Sequence, residues 1–380
     1  MASSPPPTAP PAKVPLPEAK AYVLVDVGTG NVLAGYNERR PLPPASLSKV
    51  LTALIAVTYL PPGATVTATA ATERVYPNRV GMEVGKAWPL AEVLHALLIM
   101  SANDAAYAIA TRISGQVRDF GAVMARSAAQ IGMSDHPVLH DPAGLDGTEG
   151  TGGGNLVSAR DLAIAGRDLL FVPELARIVA ESSYHFVDPT GQLHWLAGTN
   201  YAFMVSYPGA IGVKTGFTDL AGACIMAAAR RGGRTMLAVV LDGYNPTQTA
   251  IDLLNLGFAT PPSQEAATDH LPGVALPKPP AAPAKANPRP GPAGRMPAAP
   301  AGRGPKAAPG PAGRAPGLAS AARRAGRGRG ASQALRTWPA ELALLASLAA
   351  IAYALSEVAR ANRARSYSRR HKGANRSYSR

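Results

Sequence analysis

Cysteine occurs once in the 380 residues, as Cys224. A single thiol excludes an internal disulfide framework. Its place in an apolar, strand-like run marks a buried small residue rather than a nucleophile. Metal-ligand patterns are equally scarce. His136 and His140 have His-x-x-x-His spacing, but Pro137 lies between them and no glutamate follows His136, as the zinc-protease motif needs. No metal and no cofactor are expected. A phosphate-cradling loop is missing as well, because Gly152-Gly153-Gly154 is not followed by Lys-Ser/Thr. Residues 1–17 lack the basic start and apolar core of an export signal. No internal repeat is present.

Acidic residues almost vanish from the C-terminal part. Residues 272–380 hold 20 Lys+Arg and 2 Asp+Glu, a net of +18, within a whole-chain charge of +14. The first 271 residues carry 18 basic and 22 acidic side chains, a net of −4. The folded part is therefore not basic. The tail has no aromatics over 272–336, which base stacking would require, so no nucleic-acid partner is expected. Its positive charge suits acidic polymers or anionic lipid headgroups instead.

Long apolar runs are rare too. Leu342–Ser356 is uncharged and mostly apolar, just short of the roughly 20 residues that span a bilayer. Glu341 and Glu357 bound it, and Trp338 is an interfacial anchor. Eight Arg or Lys residues follow from Arg360 to Arg380, which by the positive-inside rule belong in the cytoplasm. Composition thus divides the chain into a Pro-rich segment (1–17), one folded domain (18–262), a Pro/Ala/Gly/Arg-rich disordered spacer (263–337), a transmembrane helix (338–358) and a basic cytoplasmic tail (359–380). The folded domain is then expected on the extracytoplasmic side of a membrane, which calls for a signal this chain does not show.

What is present is organised around Ser46-Leu47-Ser48-Lys49. Three residues is about one helical turn, so Lys49 lies on the face of Ser46 and its amine reaches the hydroxyl. Serine is a weak nucleophile until a neighbouring base takes its proton. Lysine is such a base only when burial or a second cation lowers its pKa. Ser101-Ala102-Asn103 follows, then Lys214-Thr215-Gly216. Each triplet alone is weak; all three in this order, at separations suited to one domain, form a strong signal.

The remaining pattern places these motifs. Ala21–Val27 and Val32–Tyr36 read as a hairpin around Gly28-Thr29-Gly30-Asn31. A helix from Ser46 ends at Pro61-Pro62-Gly63, and Val66–Val84 reads as irregular. Helices are expected over Pro89–Met100, Asp104–Ser114, Val117–Ile131 and from Ser158, which caps its helix with Asp161 favourable to the dipole. Arg160 reads as a structural ion-pair partner first and a substrate contact second. Asp188-Pro189-Thr190-Gly191 marks a second hairpin. Strands over Pro208–Val213, Ala221–Ala229 and Thr235–Leu241 precede a closing helix, Gln248–Leu256. Strands at both ends with helices between them argue for an α+β fold with an antiparallel sheet.

These residues resemble the penicillin-binding, serine-type D-alanyl-D-alanine carboxypeptidases of low molecular mass. The likeness spans roughly 20–258. It covers Val25–Leu33, Ala45–Lys49, Asp141-Pro142-Ala143-Gly144-Leu145, Ser158–Leu162 and Gly209–Thr218 with the following Ala221-Gly222-Ala223-Cys224. The resemblance implies a β-lactamase-like fold with an all-helical subdomain, and a site between that subdomain and the sheet. It implies peptidoglycan pentapeptides as substrate and β-lactams as covalent inhibitors. Ser46 would attack the D-Ala-D-Ala carbonyl and Lys49 would take its proton. Ser101 and Lys214 would relay a proton to the leaving D-alanine, while Asn103 would hold a substrate amide and Lys49. Lys214 and Thr215 would bind the terminal carboxylate. Gly216 would let substrate lie against the strand. The backbone N–H groups of Ser46 and Phe217 would hold the oxyanion.

Two rivals share the fold. A β-lactamase would need a deacylating glutamate between the second and third motifs; the best local match, Val172-Pro173-Glu174-Leu175, has Val where that glutamate belongs. A non-catalytic wall-binding scaffold would have no need of both Lys49 and Lys214.

Overall fold

A computed structural model of the chain describes residues 18–147, 153–265 and 269–280. The Pro-rich segment 1–17, most of the spacer, the apolar run 338–358 and the basic tail lie outside the described residues. Among the described residues no helix is long and apolar enough to cross a membrane.

The chain enters as β1 (Ala19–Asp26) and returns as β2 (Val32–Tyr36). The Gly/Asn turn closes on Asp26, whose carboxylate accepts the Gly28 and Thr29 N–H groups at 2.9 and 3.2 Å. A 3-10 turn over Ala45–Ser48 then feeds α1 (Lys49–Tyr59). Ser46 therefore sits one turn ahead of the α-helix rather than inside it.

The helical part follows. It comprises β3 (Thr65–Thr67), α2 (Ala70–Arg74), β4 (Ala87–Pro89), α3 (Leu90–Leu98), α4 (Asn103–Ser114) and α5 (Phe120–Gln130). The stretch 66–84 is more ordered than its composition suggested. A capping box between Thr69 and Thr72 starts α2. The Asp104 carboxylate gathers the loop beyond it, accepting the Val80, Gly81 and Met82 N–H groups at 3.0, 2.7 and 3.1 Å. A buried carboxylate is tolerable only with such donors.

Next come α6 (Ala159–Leu170), α7 (Pro173–Val179), the hairpin β5 (Ser183–Val187) with β6 (Leu193–Ala197), and α8 (Tyr201–Ser206). Ser158 caps α6 as expected, accepting the Asp161 N–H at 2.9 Å. Asp161 has a second use: its carboxylate accepts the Ser134 and Asp135 N–H groups at 3.0 and 3.1 Å. The chain closes with β7 (Ala210–Thr218), β8 (Gly222–Arg231), β9 (Arg234–Gly243) and α9 (Pro246–Ala259).

The main sheet is antiparallel, in the order β2-β1-β9-β8-β7. Alternate side chains point to opposite faces, and both faces are covered. Ala21, Val23, Val25, Met226, Ala228, Leu237 and Val239 join the core shared with α1, α6 and the helical part. Tyr22, Leu24, Ile225, Ala227, Met236 and Ala238 pack under Leu253 and Leu254 of α9. Strand β7 is left at the sheet edge, beside the turn that carries Ser46. An edge strand keeps a row of unpaired backbone groups, which is what a peptide-binding strand needs.

The chain does not leave the domain at residue 262. Asn31 bridges His270, Leu271 is buried, and Arg160 pairs with Asp269 at 2.9 Å. Arg167 donates to the Pro272 carbonyl at 2.8 Å, and Tyr59 to that of Lys278 at 3.1 Å. The Pro-rich composition of 269–280 hid this strap because several of its contacts, those to Arg167 and Tyr59 among them, are made by backbone carbonyls, which any residue supplies. Arg160 takes the structural role expected of it.

Candidate active site

Lys49 carries the geometry of the site. Its side chain is completely buried, and its Nζ donates to Ser46 Oγ at 2.8 Å, Asn103 Oδ1 at 2.7 Å and the Ala143 carbonyl at 2.9 Å. Three acceptors satisfy an ammonium. Two of them can only accept, so a neutral amine spends both hydrogens on Asn103 and Ala143. Its lone pair then faces Ser46 Oγ, whose hydrogen must point back at it. The arrangement is that of a nucleophile and its base.

The orientation of Asn103 is fixed from behind. Its Nδ2 donates to the Tyr76 carbonyl at 2.8 Å, which turns Oδ1 to Lys49. The Ala143 carbonyl is aimed by Asp141, which accepts the Ala143 and Gly144 N–H groups at 2.7 and 2.8 Å and the Tyr107 hydroxyl at 2.8 Å. Asn155 braces the same loop, accepting from the His140 and Asp141 N–H groups and donating to Ser48 Oγ at 2.9 Å. Gly144 has φ 78°, and a Cβ there would stand 1.8 Å from the Ala45 carbonyl. Only glycine lets this loop reach the nucleophile turn.

Burial lowers Lys49 to about 7, against the opposing pull of Asp141 and then Asp104. Lys214, also fully buried, is held well below the ordinary lysine value, first by burial and then by the charge of Lys49. Burial in turn pushes Asp141 upward, against the hydrogen bonds it accepts and the charge of Lys49. The two amines thus sense one another across the gap between α1 and β7.

Strand β7 closes the other side. A Cβ on Gly216 would lie 2.8 Å from Ser46 N and 2.9 Å from Ala45 Cβ. Gly216 is therefore glycine because the strand meets the nucleophile turn itself, a reason beyond the substrate contact expected from sequence. Lys214 Nζ donates to the Thr215 carbonyl at 2.8 Å, and the Thr215 hydroxyl donates to Thr199 Oγ1 at 2.8 Å. The Phe217 side chain is exposed. Ser101 occupies the left-handed region with φ 66° and is nearly buried. Its hydroxyl has no hydrogen-bond partner among the described residues. Ala45, immediately before the nucleophile, is also left-handed, with φ 49°. Two non-glycine residues in that region at one site are strained turns held by their surroundings.

Ser46, Lys49 and Asn103 thus meet directly, and the Lys214–Gly216 strand abuts them. Sequence reasoning missed the supporting roles of Asp141, Asn155, Tyr107, Asp104 and Thr199. The segment Asp141–Leu145 was visible as a pattern, but its task was not. Among the described residues no group of three metal-ligating side chains occurs.

A family profile described as D-alanyl-D-alanine carboxypeptidase, peptidase family S11, matches residues 8–245. The chain belongs to this family. A D-alanyl-D-alanine carboxypeptidase of Mycobacterium tuberculosis is 35% identical over 261 residues, covering 67% of this chain and 87% of that protein. The crystal structure of a penicillin-binding protein homologue from the same organism superposes with a TM-score of 0.62 at 33% identity, over 69% of this chain and all of the other. Penicillin-binding protein D2 of Listeria monocytogenes, solved in its ampicillin-bound form, is 27% identical with a TM-score of 0.56, covering 64% of this chain and 98% of that one. The α+β carboxypeptidase fold and a serine-type peptidase follow from these likenesses together with the Ser46–Lys49 contact.

Proposed function

We propose that the chain removes the terminal D-alanine from peptidoglycan stem peptides ending in D-alanyl-D-alanine, through an acyl-enzyme on Ser46. The observation that carries this reading is the 2.8 Å contact between Ser46 Oγ and a fully buried Lys49 held near 7. Lys49 takes the Ser46 proton as Oγ attacks the penultimate carbonyl. Ser46 N, at the head of its turn, and Phe217 N, on the edge strand, receive the developing oxyanion; each such donor is worth about 10²–10³ in rate. The C–N bond breaks, and the leaving amine takes a proton relayed through Ser101 and Lys214. Lys214 is suited to this because its depressed pKa lets it give a proton up readily. Water then attacks the ester, giving a proton to Lys49, which passes it to Ser46 Oγ as the acyl bond breaks, so that both residues return to their starting states.

The free carboxylate of the terminal residue is matched by Lys214 and the Thr215 hydroxyl, which makes the activity that of a carboxypeptidase. Penicillins carry a carboxylate beside a strained amide, so they acylate Ser46 by the same route, and the adduct persists. The domain works outside the cell membrane, tethered by 338–358 with the basic tail in the cytoplasm; the charge asymmetry around that run supports this placement.

The full chain is incubated with a peptide ending in D-alanyl-D-alanine, and released D-alanine is measured beside a Ser46→Ala control. Intact mass is followed after penicillin. Release that is lost in the variant, with a long-lived adduct in the parent, is the expected result. Rapid penicillin turnover without D-alanine release would make the protein a β-lactamase. Neither activity in a folded chain would leave a scaffold.

A further inference from the structure

Thr199 belongs to no motif, yet it joins the two walls of the cleft. It follows β6, and its backbone N–H donates to the Ile99 carbonyl at 3.0 Å, two residues before Ser101. Its Oγ1 accepts the Thr215 hydroxyl at 2.8 Å. Gly198 before it is bonded to Ser182, and Asn200 after it is buried, so the backbone at 199 is held on both sides. Both threonines are half-buried, as side chains on a cleft wall are.

A hydroxyl has one hydrogen to give and two lone pairs. With Thr215 donating to Thr199, the hydrogen left to the pair is the one on Thr199. A carboxylate accepts and never donates, so a Thr215 hydroxyl committed to Thr199 cannot also bind it. Either the pair turns over, with Thr199 donating to Thr215 and Thr215 to the carboxylate, or Thr199 donates outward itself. In both cases the hydrogen that reaches the anion is supplied by the pair. Hydrogen bonds linked in series also strengthen one another.

We propose that Thr199 is a specificity-determining partner of Thr215, the two hydroxyls acting as one donor unit for the terminal carboxylate of the substrate. The inference rests on the carboxypeptidase reading above. It makes Thr199 a positioning residue for Thr215, set in place by its tie to the Ser101 turn.

The test is a double-mutant cycle on the full chain with a peptide ending in D-alanyl-D-alanine: Thr199→Val, Thr215→Val and the pair, with Thr199→Ser as the conservative variant. Valine keeps the shape and the backbone bond to Ile99 and deletes only the hydroxyl. Thr199→Val is expected to lower kcat/KM by about 5- to 10-fold, chiefly through KM, the scale of one networked hydrogen bond. In the Thr215→Val background the same change should cost under about 2-fold, and Thr199→Ser should restore the parent value, because groups acting as one unit are not additive. A Thr199→Val enzyme within about 2-fold of the parent overturns the proposal. So does an equal loss in both backgrounds, which a merely structural role would give, or a Thr199→Ser enzyme as impaired as Thr199→Val. If the parent releases no D-alanine at all, the functional reading fails first and the pair has no substrate to recognise.

Discussion

Replacing Gly216 by alanine tests whether the nucleophile turn and β7 together form the oxyanion site. The new Cβ would stand 2.8 Å from Ser46 N and 2.9 Å from Ala45 Cβ. Comfortable carbon contacts lie at about 3.5–4.0 Å, so the strand and the turn must separate by about 0.7 Å or more. Neither neighbour is the far end of a flexible chain: one is main chain and the other a Cβ. The separation therefore falls between the two segments that carry the donors, the nucleophile turn with Ser46 N and β7 with Phe217 N. A donor at about 2.9 Å from an oxyanion would move to about 3.6 Å, where no hydrogen bond remains. Losing one such donor costs about 10²–10³ in rate. The assay is the rate of covalent penicillin attachment, followed by intact mass, together with D-alanine release. Gly273→Ala is the control, since a Cβ there has nothing within 4 Å. The expected result is a fall of at least about 10²-fold in acylation with little change at Gly273. A Gly216→Ala protein that acylates within about 3-fold of the parent would refute the argument that these two segments share the oxyanion.

Two further outcomes follow from burial. Acylation should climb with pH through about 7, because Lys49 must lose its proton before it can accept that of Ser46, and its slope below that point should approach tenfold per unit. The same depressed pKa makes the unfolded chain bind the extra proton between about 7 and 10.5, so this lysine makes stability rise with pH across that window. In Lys49→Met, which should also lose acylation, denaturant midpoints at pH 7.5 and 9.5 should differ less than in the parent; an unchanged difference would sink the assignment. The second outcome concerns the strap: a chain ending at 262 loses buried Leu271 and the partners of Arg160 and Arg167. Burying one leucine is worth about 1.5–3 kcal/mol, so such a chain should melt roughly 5–10 °C below one ending at 280. Equal melting temperatures would show that 269–280 contributes nothing.

The difference between what was legible in the sequence and what was not has a physical pattern. Ser46 and Lys49 could be paired because they are three residues apart, and helical geometry alone brings them together whether the first turn is 3-10 or α. The hairpin at Asp188–Gly191 was readable for the same reason: its carboxylate closes the turn on its own neighbours, accepting the Thr190 and Gln192 N–H groups. The groups that make Lys49 a base come from elsewhere. Asn103 reaches it from 54 residues away and the Ala143 carbonyl from 94. A main-chain carbonyl has no residue type, so nothing in the sequence announces it. What the sequence can show is the machinery that aims it: an aspartate followed by Pro-Ala-Gly, where the carboxylate gathers the next N–H groups and the glycine alone can pass Ala45. Thr199 was hidden likewise, since a lone threonine after a strand has many ordinary uses, and only its 2.8 Å contact with Thr215 separates it from them. Residues that perform the chemistry were therefore visible through local spacing, whereas residues that set its pKa and its geometry became visible only once the chain had folded. Lys49 joins the two classes. Its position is written in a four-residue motif, but its usefulness at neutral pH depends on complete burial, which every packed element around it supplies.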